Sequence, residues 1–241
     1  MASINNDKIA LITGANKGVG FEVARQLAQQ GIQVLLGSRD EERGRKAVEK
    51  LISENLFSSL IQIDVTNQST IDAAVTEITT KYGRLDILIN NAGIYVKEPH
   101  PSECTLDLMQ DNMNVNFFGA FSVTKAFLPL LRKSSSGRIV NVSSALSSIY
   151  FHQTCANSYF HLAYSASKAS LNMFTYQLAQ ELKKTNIKVN ACTPGLTATE
   201  LTNFHGHSVE IGAKSTVFLA TLPDDGPSGK FFNENCEEDK W

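Results

Sequence analysis

Short, continuously apolar runs alternate with longer amphipathic stretches along most of the chain, and this alternation limits the available folds most strongly. Residues 8–13, 32–37, 60–64 and 85–90 are the first four runs; 138–143, 188–192 and 230–232 continue the series. A strand that is apolar on both sides must be covered on both sides, which a parallel sheet between two helical layers achieves. The intervening stretches, 18–30, 41–53, 69–82, 106–132, 163–184 and 209–221, read as helices, the first closed by Gly31. The expectation is an α/β fold, a doubly wound parallel sheet with helices on both faces. No internal repeat, low-complexity tract or Pro/Gly/Ser linker divides the chain, so 1–241 reads as one domain.

Composition narrows the function. Lysine plus arginine number 22 and aspartate plus glutamate 24, for a net charge of -2, which gives no electrostatic basis for nucleic-acid binding. The acidic cluster Glu234 to Asp239 reads as a solvated tail. Four cysteines, Cys104, Cys155, Cys192 and Cys236, form no CxxC pair and read as reduced thiols. His205 and His207 lack further ligands at metal-binding spacing, so no metal is expected. With no signal-peptide core, membrane-length apolar run or terminal address, the expected compartment is the cytoplasm, away from membranes.

The first strand runs into Thr13-Gly14-Ala15-Asn16-Lys17-Gly18-Val19-Gly20 at the start of a helix. Glycines lacking Cβ let the backbone approach a pyrophosphate, and the helix amides and dipole then stabilise it. The spacing is GxxxGxG rather than GxGxxG. An NAD site usually places an acid at the end of the second strand; here Ser38 stands there, followed by Arg39. Arg39 and Lys17 are cations suited to a 2′-phosphate, so the expected cofactor is NADP(H).

Tyr164-Ser165-Ala166-Ser167-Lys168 puts a phenol and an ammonium four apart on one helix face. A nearby cation favours tyrosinate and so brings the phenol towards useful acid–base strength. Ser143-Ser144 ends the strand of residues 138–143, where a hydroxyl can polarise a carbonyl. Asn90-Asn91-Ala92-Gly93 ends the fourth strand, and Asn116 lies inside the 106–132 helix, where a buried amide needs partners. These groups map to strand carboxyl ends or nearby helices, where ligands bind in open α/β sheets.

The ordered set TGxxxGxG, NNAG, an asparagine before Phe117-Phe118-Gly119, VSS, YxxxK and PG resembles the short-chain dehydrogenase/reductase family, over essentially 8–241. Lys17 with Arg39, the Asn116 step, Ala191-Cys192-Thr193-Pro194-Gly195 and the terminal tryptophan look most like its NADPH-dependent carbonyl reductase branch, with menthone-reductase-like members nearby. The resemblance implies a single-domain Rossmann fold that reduces aldehydes or ketones to alcohols. It implies Tyr164 as general acid and Lys168 as the group that lowers its pKa and holds the nicotinamide ribose. Ser144 would orient the carbonyl, and Asn116 would hold a helix kink and a water of the proton relay. Asp64 and Val65 would flank the adenine, Asn90, Ala92 and Gly93 would lie along the adenosine side, and Pro194, Gly195 and Thr199 would line the carboxamide.

Ser144 and Tyr164 are 20 positions apart, longer than in most single-domain members and much shorter than the vertebrate carbonyl reductase insert. Phe151, Tyr159 and Phe160 in this stretch read equally as pocket wall or as packing residues, and a monomer or a small homo-oligomer is open. Residues 196–208 would form a short substrate lid, which implies an open site and a small-molecule carbonyl as the partner. The same residues would also serve an alcohol dehydrogenase acting oxidatively on a terpenoid or steroid alcohol. A non-catalytic NADP(H) sensor would need only the glycine turn.

Overall fold

The computed structural model describes residues 7–155 and 160–241. The strands are β1 (Ile9–Ile12), β2 (Gln33–Ser38), β3 (Ser58–Gln62), β4 (Ile87–Asn90), β5 (Arg138–Val142), β6 (Lys188–Cys192), β7 (Phe231–Phe232) and β8 (Glu238–Asp239). The helices are α1 (Gly18–Gln29), α2 (Glu41–Ser53), α3 (Gln68–Tyr82), α4 (Leu106–Met113), α5 (Ala120–Leu131), α6 (Ile149–Thr154), α7 (Leu162–Glu181) and α8 (Val209–Ala220). Among the described residues the sheet order is β3-β2-β1-β4-β5-β6-β7-β8, parallel throughout except for β8 against β7.

Strand periodicity divides the apolar residues between two layers. Ala10, Ile12, Val34, Leu36, Ile87 and Ile89 face one core, closed by α1, α2 and α8. Leu11, Leu35, Leu88, Ile139 and Val189 face the other, closed by α3, α5 and α7. The chain builds β1, β2 and β3 outward, then returns to place β4 on the other side of β1. That reversal opens a crevice at the strand carboxyl ends, which is where the glycine turn and the Asn90 step lie.

Three elements differ from the reading of the sequence. The 106–132 helix is interrupted: a π-helical turn, Asn114–Gly119, separates α4 from α5. The acidic tail is structured rather than only solvated. Glu238 and Asp239 pair with Phe232 and Phe231, Lys230 Nζ donates to Glu238 at 2.6 Å, and Trp241 stacks on Phe231 at 5.6 Å. A cation and an aromatic partner outweigh the like charges there. The 150–160 stretch begins as α6, and Phe160 packs against His100 at 4.8 Å, whereas Tyr159 lies outside the described residues.

Phe127 on α5 is fully buried in the second core. Phe127→Ala is expected to lower the unfolding free energy in urea by about 3–5 kcal/mol through lost contacts and residual cavity; a loss under about 1 kcal/mol would contradict this packing.

Candidate active site

The glycine turn leaves β1 and enters α1 without a side-chain cap: Lys17 is the N-cap, and the first turn carries no acid. Helix-start amides without such a cap suit an anion. Gly14 has φ +62°, and a Cβ there would come within 2.9 Å of Ala92 Cα. A Cβ on Gly20 would strike Asn91 Nδ2 at 2.3 Å, and one on Gly18 would meet Thr199 Cγ2 at 3.3 Å. The turn is thus packed between the β4 exit and the segment after β6, with no room for a side chain at Gly14 or Gly20. The Asn91 amide clasps it, donating to Thr13 O at 2.8 Å and Gly14 O at 3.1 Å.

Arg39 is exposed just beyond β2, where Ser38 is buried and donates to Asp40 O at 2.7 Å. Asp40 is occupied as the N-cap of α2, accepting from Arg43 N at 3.0 Å. Lys17 is also exposed and pairs with Glu200, on the 3-10 turn Glu200–Thr202 within the 196–208 segment. Nothing in the sequence spacing signalled that partner, which sits 183 positions away. Val65 is buried against Gly119, and Asp64 accepts from Thr66 N at 2.9 Å, both at the exit of β3. The Asn90 amide donates to Thr124 and Asn141, each at 2.8 Å, which ties β4 to α5 and β5.

Tyr164 and Lys168 are both buried, at 9% and 4% exposure, in the first half of α7. Lys168 Nζ lies 5.8 Å from the Tyr164 ring centroid and donates to Val142 O at 2.8 Å, at the end of β5. Ser144 accepts from Leu146 N at 3.2 Å, and its hydroxyl lies close enough to the Tyr164 phenol to favour the phenolate. Ser143 is buried away from the phenol, near Ser147 and the Lys168 carbonyl. Burial pushes the phenol up to about 12, while the Ser144 hydroxyl pulls it down. Burial also pushes the lysine down to about 8. The lysine was expected to bring the phenol towards neutrality; desolvation of the phenol is the larger effect.

Asn116 lies in the π-helical turn at 1% exposure. Its carbonyl accepts Ile94 N at 2.8 Å, and its amide donates to Ile94 O and Ser167 Oγ, both at 3.0 Å. Ser167 Oγ in turn donates to Tyr164 O at 2.7 Å. A Cβ on Gly93 would sit 3.2 Å from Asn116 Oδ1 and 3.4 Å from Lys168 Nζ, so Asn116, Lys168 and the end of the NNAG step share one small space. Pro194 and Gly195 follow β6, and Gly195, at φ +67°, packs under His207 and Glu234. An isolated parallel bridge between Thr197 and His207 closes the 196–208 segment on itself. Two residues that the sequence did not mark also reach Tyr164: the Tyr95 ring meets its ring edge-on at 5.5 Å, and Glu98 accepts its backbone amide at 2.8 Å.

A buried phenol with a hydroxyl partner and a neighbouring ammonium, beside an uncapped helix start, suits proton transfer next to a bound dinucleotide. The family model for short chain dehydrogenases matches residues 8–209. Salutaridine reductase of Papaver bracteatum is 33% identical, covering 98% of this chain and 96% of its own length. Carbonyl reductase [NADPH] 1 of Mus musculus is 33% identical over 95% of this chain and 97% of its own. The alignment with the poppy enzyme spans 304 positions, more than the 241 residues here, so that relative carries sequence this chain lacks. Among solved structures, NADPH-bound carbonyl reductase from chicken fatty liver superposes with a TM-score of 0.84 at 26% identity, covering 98% of this chain and 99% of that one. Salutaridine reductase from Papaver somniferum gives 0.81 at 32%, covering 93% and 99%. With this sheet order, glycine turn and buried Tyr164–Lys168 pair, the chain belongs to the short-chain dehydrogenase/reductase family of oxidoreductases.

Proposed function

We propose that this protein reduces a small-molecule aldehyde or ketone to an alcohol, using NADPH. The observation that carries the reading is the convergence of Ser144, Tyr164 and Lys168 at the carboxyl end of β5, next to the glycine turn. When bound, NADPH supplies the hydride. The α1 amides and Gly14, Asn16, Gly18, Val19 and Gly20 would hold its pyrophosphate, and Asp64, Val65, Asn90, Ala92 and Gly93 its adenosine half. Lys17 and Arg39 would pair with the 2′-phosphate, with Glu200 released from Lys17 as they do so. Pro194, Gly195 and Thr199 would fix the carboxamide.

The remaining chemistry belongs to the protein. Ser144 donates to the substrate carbonyl oxygen and orients it. Tyr164 is protonated across the neutral range, because burial holds its pKa high, so it is ready to give its proton to that oxygen as charge develops. Lys168, cationic below about 8, stabilises the tyrosinate that remains. Asn116 holds the Ile94 backbone and Ser167, and so the geometry around Lys168. Exposed Leu196, Leu201 and Phe204 on the lid supply an apolar surface, which suits a hydrophobic carbonyl compound. The named relatives, a salutaridine reductase and an NADPH carbonyl reductase, agree with carbonyl reduction.

Tyr164→Phe is expected to lower kcat by at least about 100-fold while leaving NADPH affinity within about twofold, because the phenol acts in the transition state. Near-normal turnover in that variant would refute the assignment. Arg39→Asp is expected to raise the KM for NADPH about tenfold or more and to leave NADH nearly unchanged; equal effects on both would remove the 2′-phosphate role.

The depressed Lys168 pKa also makes a stability prediction. The unfolded lysine holds its proton up to about 10.5, the folded one only up to about 8. Unfolding therefore takes up a proton between those values, and the folded state gains stability as pH rises through them. Relative to Lys168→Met, the wild type should gain on the order of 3 kcal/mol between pH 7.5 and 10.5 in urea titrations. A constant difference across that range would show that the lysine is not buried as described.

A further inference from the structure

Tyr164 is only the third residue of α7, in the turn of a helix that is ordinarily held least firmly. The amides of such a turn have no intrahelical acceptor, and His161, the N-cap, provides no side-chain bond to them. A carboxylate from another part of the chain takes this place. Glu98, 65 positions upstream of Ala163, accepts Ala163 N on one oxygen at 2.7 Å and Tyr164 N on the other at 2.8 Å. Both bonds are charge-assisted and sit at the positive end of the α7 dipole.

The segment that carries Glu98 grips Tyr164 a second way. The Tyr95 ring meets the Tyr164 ring edge-on at 5.5 Å, and the Tyr95 hydroxyl is 3.1 Å from His161 Nδ1. The same segment is anchored at Ile94 by the Asn116 side chain, and it begins at Ala92, against which Gly14 of the glycine turn packs. A continuous run, 92–98, thus joins the glycine turn to the backbone and the ring of Tyr164.

We infer that Glu98 is a positioning residue for Tyr164: by binding the first-turn amides of α7 it fixes the phenol relative to Ser144 and the reacting carbonyl. This rests on the reading of Tyr164 as general acid. The rest of α7 does not depend on Glu98, because the helix is 20 residues long and buries Leu171, Thr175 and Leu178 further along. Removing the carboxylate therefore loosens one turn and leaves the fold in place.

The test uses the full chain with NADPH and whichever carbonyl compound the wild type reduces fastest in a panel. Glu98→Ala is expected to lower kcat about tenfold or more, with NADPH affinity and substrate KM within about twofold, because displacement of a general acid affects the transition state more than binding. Glu98→Gln, whose amide oxygen accepts one of the two amides, is expected to recover an intermediate kcat. Hydrogen exchange in both variants should quicken in the first turn of α7 and not along the remaining helix. A kcat for Glu98→Ala within about twofold of wild type would overturn the inference, as would a Gln variant no better than the Ala variant with both losing thermal stability throughout. Tyr164→Phe, run alongside, separates the two claims: turnover surviving in it refutes the general acid itself, whereas its loss beside a fully active Glu98→Ala refutes the role of Glu98 alone.

Discussion

The buried side chain of Asn116 ties together the parts on which the site depends. A primary amide inside a helix is costly unless its donors and acceptor are satisfied. Here they are satisfied by groups outside the helix: both backbone polar atoms of Ile94, and the hydroxyl of Ser167 on α7. The π-helical turn that contains Asn116 is the local cost of directing the amide outward. In exchange, the exit of β4, the junction of α4 and α5, and the turn of α7 between Tyr164 and Lys168 are locked together.

Electrostatics then follow from depth. Tyr164 and Lys168 are almost fully out of water, and burial disfavours the charged form of each, raising the phenol and lowering the ammonium. The pair is consequently poised with the phenol protonated and the lysine still cationic at neutral pH, losing its proton only at about pH 8. The Ser144 hydroxyl beside the phenol moderates but does not reverse its rise. A proton donor for reduction requires that order: the acid keeps its proton until negative charge develops beside it.

Much of the fold was legible because it depends on local pattern. Residues 41–53 and 188–192 were read with the bounds they have, and the parallel order follows from strands apolar on both faces. The glycine turn and YxxxK were legible because their chemistry lies in close spacing, and the structure brings Tyr164, Lys168, Ser144 and Asn116 into one region. What escaped the sequence depends on contacts between distant residues. Glu98 and Glu200 are single acids whose partners lie 65 and 183 positions away, and no periodicity marks them. β8 escaped because four of the six residues from Glu234 to Asp239 are acidic, and only the pairing with Phe231, Phe232 and Lys230 makes that segment a strand. The fall of the phenol pKa was expected from the neighbouring lysine, and depth, which sequence spacing does not report, governs it instead.

The proposed reaction, reduction of a carbonyl by NADPH, rests on turnover that can be seen directly. The most direct measurement is the loss of nicotinamide absorbance with NADPH, and separately NADH, across a panel of hydrophobic aldehydes, ketones and quinones. Oxidation of NADPH should depend on the carbonyl compound and be at least about tenfold faster than with NADH at equal low concentration, as expected where cations meet the 2′-phosphate. Equal use of both nucleotides, or tight NADPH binding with no turnover across the panel, would contradict it.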